Sequence, residues 1–91
     1  MPHGTKIGNI TGAQMRAARG LLNWSGGRLA QESGVSLHTI RRAEPMDGPL
    51  RMIPANALVI RATLEAAGVE FIAENGGGPG VRLKRPLPPE P

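Results

Sequence analysis

Ninety-one residues carrying 11 Lys and Arg against 7 Asp and Glu, a net charge of +4, make one small domain whose charge favours a polyanionic partner. There is no cysteine, which excludes disulfides and thiolate metal sites, and two histidines, His3 and His38, are too few and too far apart for a metal cage. No apolar run approaches the roughly 18 residues of a membrane span and no basic-then-apolar signal segment opens the chain, so a cytoplasmic protein is expected.

Residues 1–10 carry no pattern and are expected to be a disordered tail, 11–85 the folded domain, and 86–91 a Pro-rich disordered tail. Thr11-Gly12-Ala13-Gln14 fits a capping box, so a first helix should run from here to about Asn23. Met15, Ala18, Leu21 and Leu22 recur at three-to-four spacing and mark its buried face. Ser25 caps a second helix ending near Ser33, with Leu29 and Ala30 inward. Gly26 and Gly27 weaken its start by roughly 1 kcal/mol each against Ala. Gly34 suits the left-handed position that ends a helix, Val35 plugs the turn, and Ser36 caps a third helix over 37–44. That helix should bury Ile40 and Ala43 before Pro45 stops it.

A loop over 45–53 leads to a fourth helix, opened by Pro54 and closed by Gly68. Its apolar residues Ala57, Leu58, Val59, Ile60, Ala62 and Leu64 exceed one stripe, so two buried faces are expected. Val69-Glu70-Phe71-Ile72 and Val81-Arg82-Leu83-Lys84 alternate as strands about the turn ENGGGPG of 74–80. A two-stranded hairpin is marginal alone, so it must pack on the fourth helix or pair with another chain. The fold class expected is mainly α: four helices with a C-terminal two-stranded β-hairpin. With Trp24 and Phe71 its only aromatics, such a core is thin, which favours a homodimer. The surface expected for it is Leu58, Ile60, Leu64, Phe71, Ile72, Val81 and Leu83.

A short helix, a Gly-containing turn and a second short helix spell a helix-turn-helix. The break lets the second helix lie across a DNA backbone while the third enters the major groove. The first turn of the third helix then needs polar side chains, and His38, Thr39 and Arg42 meet that demand opposite Ile40 and Ala43.

Residues 11–44 resemble the Cro/C1-type helix-turn-helix of the XRE family of bacterial and phage regulators. The likeness rests on Arg19, Leu22, Trp24-Ser25, Leu29-Ala30, Gly34-Val35-Ser36, Thr39-Ile40 and Glu44. It implies an ion pair between Arg19 and Glu44 that ties the first helix to the end of the third. It implies base contacts by Leu37, His38, Thr39 and Arg42, and phosphate contacts by Ser25, Gly26, Arg28, Ser36 and Arg41. The sequence departs from the family at Gly26, where many members carry a Gln that bonds phosphate and braces the third helix. The Gly26 backbone N–H and the charge of Arg28 are the substitutes at hand.

Other signals point nowhere further. The Gly-rich turn 76–80 lacks the following helix and Lys-Ser/Thr of a phosphate loop. Arg85 to Pro91 fits a polyproline ligand pattern, but a tail is the simpler reading. Nothing suggests an enzyme or a cofactor: no Cys or Tyr is present, and the acidic residues show no paired arrangement for acid–base work. The reading is a sequence-specific DNA-binding regulator, a repressor acting as a homodimer on a palindromic operator. Two alternatives stand beside it, an antitoxin or accessory regulator that binds a partner protein through the hairpin or tail, and a protein-only adaptor.

Overall fold

The Thr11 hydroxyl accepts the Gln14 N–H (3.0 Å) while the Gln14 side-chain oxygen accepts the Thr11 N–H (2.9 Å), and this reciprocal box opens α1 (Gly12–Leu22). The computed structural model describes residues 10–85. The tails expected over 1–9 and 86–91 lie outside the described residues. Asn23, left-handed at φ 58°, ends α1. Ser25 caps α2 (Gly26–Ser33), and Gly34 at φ 78° ends it. Ser36 caps α3 (Leu37–Ala43), with Glu44 as its last, half-in residue. Pro54 is the first residue of α4 (Pro54–Ala66), which has no side-chain cap. β1 (Val69–Ile72) and β2 (Gly80–Leu83) form one antiparallel pair, Val69 opposite Leu83 and Ile72 opposite Gly80. Across it the Arg82 guanidinium binds Glu70 and, chiefly by that hydrogen bond, holds its carboxyl below the usual range.

The second strand begins one residue earlier than its alternation suggested and releases Lys84. The Lys84 ammonium instead donates to Glu65 O (3.2 Å) in the last turn of α4, and its N–H to Gly68 O (2.8 Å) in the link to β1. Together the elements make a mainly α domain of four helices and a hairpin.

All four helices, the N-terminal Ile10 and β1 feed one core. Met15, Ala18, Leu29, Ala43, Ile60, Leu64 and Val69 are fully buried, and Ile10, Val35 and Ile40 nearly so. A fully buried Leu, Ile or Met of this kind contributes about 1.5–3 kcal/mol of transfer free energy. Leu22, Trp24, Ala30, Leu50, Met52, Phe71 and Val81 pack on the core from its rim.

Four expectations need correction. Ile10 is part of the domain rather than of a tail: it is 1% exposed, and its carbonyl accepts the Leu50 N–H. Leu21 lies outside the buried stripe of α1, because Met15, Ala18 and Leu22 already fill the width that α1 turns inward. Ile60 and Leu64 cannot serve a dimer surface, since both are at 0% exposure inside the chain's own core. Only one face of α4 is covered here, and Leu58 and Val59 on the other stand about 40% exposed (43% and 40%).

Two contacts at the start of α1 organise the rest. The Gln14 amide nitrogen donates to Gly80 O (3.0 Å) and Ile72 O (3.3 Å), so the capping residue also holds the hairpin. Gly12 sits against the end of α3: a Cβ there would overlap the Met46 carbonyl oxygen and lie 2.7 Å from Ala43 O. Its N–H donates to Gly48 O (2.9 Å), and Thr11 pairs with Pro49, which pins the 45–53 loop.

Gly12→Ala is therefore expected to destabilise the domain by about 2 kcal/mol or more, because both obstacles are backbone and cannot swing aside. Urea unfolding followed by circular dichroism measures this, and a midpoint equal to the parent's would refute the close approach. Gln14→Glu keeps an oxygen for the Thr11 N–H but offers no donor to two carbonyls. It should cost about 1–3 kcal/mol at neutral pH, read from the same unfolding curves.

Candidate nucleic-acid interface

The exposed side of α3 is held in place from behind by α1. Arg19 Nε donates to Glu44 Oε2 (2.6 Å), and a second guanidinium nitrogen donates to Glu44 Oε1, giving a two-pronged bond. A third Arg19 contact donates to Trp24 O (2.7 Å) and fixes the link into α2. The pair is 21% and 16% exposed, so water screens it little. The hydrogen bond to Glu44 raises the Arg19 pKa above its already high ordinary value, and partial burial opposes this. Arg16, unremarked in the sequence, adds bonds to Glu44 O, to Met46 O (3.4 Å) and to Asp47 Oδ1 (2.9 Å).

On the opposite side of α3, Ile40 and Ala43 point inward and His38, Arg41 and Arg42 outward. His38, Thr39 and Arg42 line one shallow groove together with Met46, Arg51, Met52, Ile53 and Asn56. Arg51 and Asn56 were not anticipated. The available signal was a lone cation in the loop just ahead of a Pro-initiated helix, but nothing local says that the loop folds back beside α3.

Leu37 and Arg41 are not among the groove's lining residues. Leu37 is half-buried and turned towards α2, so that a Cβ on Gly26 would come within 3.3 Å of its Cδ1. The small residue at Gly26 thus gives Leu37 room to pack, and Leu37 acts first as a spacer between the two helices. Ser36 Oγ accepts the Thr39 N–H (3.1 Å) and donates to Thr39 Oγ1 (2.9 Å), which ties both hydroxyls into the cap of α3.

At the start of α2, Ser25 Oγ accepts the Arg28 N–H (2.9 Å). The Arg28 guanidinium lies 4.8 Å from the Trp24 ring centre and donates to Glu32 (2.8 Å). Trp24, expected in the core, is half-buried at its rim and supplies that platform.

Charge is distributed unevenly. Among the described residues, Arg16, Arg19, Arg28, Arg61 and Arg82 each pair with a carboxylate. Arg41, Arg42 and Arg51 pair with none, as do Lys84 and Arg85 at the far end of the hairpin. Also among the described residues, no group of three His, Asp or Glu could hold a metal ion, and no helix is long and apolar enough to cross a membrane. No protein-family model matches the chain, and comparison with curated proteins finds no similar one.

Arg19→Ala leaves a half-buried carboxylate and an unpaired carbonyl, so it should cost about 2 kcal/mol or more. Arg19→Lys should restore only part of that, because an ammonium cannot make the two parallel bonds. Thermal unfolding of the three proteins in one buffer tests the order, and a Lys variant as stable as the parent would refute the two-pronged bond.

Proposed function

We propose that the chain is a sequence-specific DNA-binding regulator whose α2–turn–α3 unit is a helix-turn-helix, with α3 entering the major groove. One observation carries this reading. Among the described residues, five arginines pair with carboxylates, whereas Arg41, Arg42 and Arg51, about α3 and the loop beside it, do not. Unpaired cations gathered at one place attract a polyanion.

Within this reading Arg42 and His38 meet base edges, with Thr39 beside them, and Arg42 can make two parallel bonds to a guanine. Arg41, the start of α2 (Ser25, Gly26, Arg28) and Ser36 meet phosphates, which position the protein without reading sequence. Arg51 joins the cationic side of the groove. The chain acts as a homodimer on a roughly two-fold site and represses by occupying a promoter. Of the expected dimer surface, Leu58 is exposed and Phe71, Ile72, Val81 and Leu83 are half-buried, Phe71 and Val81 partly committed to the chain's own core, and Val59 extends the surface. The same apolar face of α4 suits a partner protein, and co-purification of a small partner would favour that second reading.

DNA binding should weaken steeply as salt rises, because each phosphate neutralised releases counterions. Arg42→Ala should alter which sequences are selected from a random duplex pool, at a cost of about 1–3 kcal/mol on the preferred site. Arg41→Ala should weaken all sites alike and flatten the salt dependence by about one charge. A selected motif with two-fold symmetry would support the dimer. Failure of any duplex to bind at low ionic strength would leave a protein-only adaptor.

A further inference from the structure

Arg28 and Glu32 are both placed against the dipole of the helix that carries them. Arg28 is the third residue of α2, where the free N–H groups make a positive end, and Glu32 is the last but one, at the negative end. A pair spaced i, i+4 stabilises a helix best with the acid first, and here the cation comes first. The two charges therefore do little for α2 itself. What they do is hold one another: Arg28 Nε sits 2.8 Å from Glu32 Oε2, with the guanidinium stacked over Trp24. The Trp24 backbone is held by Arg19, which donates to its carbonyl (2.7 Å), and its side chain packs on the rim of the core. The ion pair itself is loose, with side chains 51% and 42% exposed and open to competition from any anion.

We propose that Glu32 is an internal stand-in for a phosphate: it parks Arg28 on Trp24 in the free protein and gives it up to a DNA backbone. The inference rests on the DNA-binding reading above and adds a residue that sets affinity without touching DNA. Removing the Glu32 charge leaves Arg28 without a competitor. Removing the Glu70 charge frees Arg82 in the same way on the hairpin, which makes it the matched control.

The test uses the full chain, a mixed-sequence duplex at low ionic strength, and the emission of Trp24, the chain's one tryptophan. Saturating duplex should change that emission as Arg28 leaves the ring. Glu32→Gln should tighten binding about two- to fivefold, the range an exposed ion pair supports, and Glu70→Gln should leave it unchanged. The gain should vanish when Glu32→Gln is made in an Arg28→Ala background. Equal effects of the two Gln variants, a gain that survives without Arg28, or unchanged emission at saturation would each overturn the parking of Arg28 while leaving DNA binding intact. If neither the parent nor Glu32→Gln binds any duplex, the DNA-binding reading fails and this inference fails with it.

Discussion

The surface that α3 offers depends on the seam between α1 and the end of α3. At seven residues α3 is far shorter than the roughly 12–15 that make an isolated helix even marginal. Its shape is imposed from outside. Ile40 and Ala43 are held in the core, the Glu44 carboxylate is gripped by Arg19, and the Glu44 carbonyl is bound by Arg16. Gly12 permits the approach, since any side chain there would meet the carbonyls of Ala43 and Met46. With the back of the helix fixed at three points, the directions of His38 and Arg42 follow from helical geometry rather than from interactions of their own.

The same end of α1 carries the hairpin. Gln14 must accept from Thr11 N–H and donate to the carbonyls of Ile72 and Gly80, and an amide is the short, uncharged group that does both. It is 6% exposed, the one buried polar residue among those described, and its bonds make that burial affordable. A hairpin of two four-residue strands could not stand free, and here it is moored by Gln14 and by Val69, Phe71 and Val81 against the core. One turn of helix thus joins the α3 seam to the hairpin.

Local chemistry made the helices and their ends legible in the sequence. The capping box at Thr11, the caps at Ser25 and Ser36, the left-handed Gly34 and the Pro54 start each act within four residues, so neighbours in sequence suffice to read them. What escaped was non-local. That Gln14 would turn its amide to strands some sixty residues away (58 and 66) leaves no trace near Gln14. Ile10 reads as tail because a single apolar residue has no periodicity, and only the loop at Leu50 shows why it is buried. On α4 the composition shows too many apolar residues for one face but not which of them turn inward, and the core rather than an outer surface takes Ile60 and Leu64. At the groove, His38, Thr39 and Arg42 followed from helical spacing, whereas Arg51 and Asn56 join them only through the fold of a loop.

Of the four helices, α2 owes most to its surroundings. It opens with two glycines, carries its two charges against its dipole, and turns one fully buried side chain, Leu29, inward. Each of these features lowers its intrinsic stability. Ser25, the Arg28–Trp24 stack and the packing of Leu37 over Gly26 compensate in part. A helix of this kind takes its order from what packs around it rather than from its own sequence. Gly26, which costs α2 stability, also lets Leu37 of α3 pack close beside it. Weakness of α2 and the close approach of α3 to its first turn thus have a common origin in Gly26.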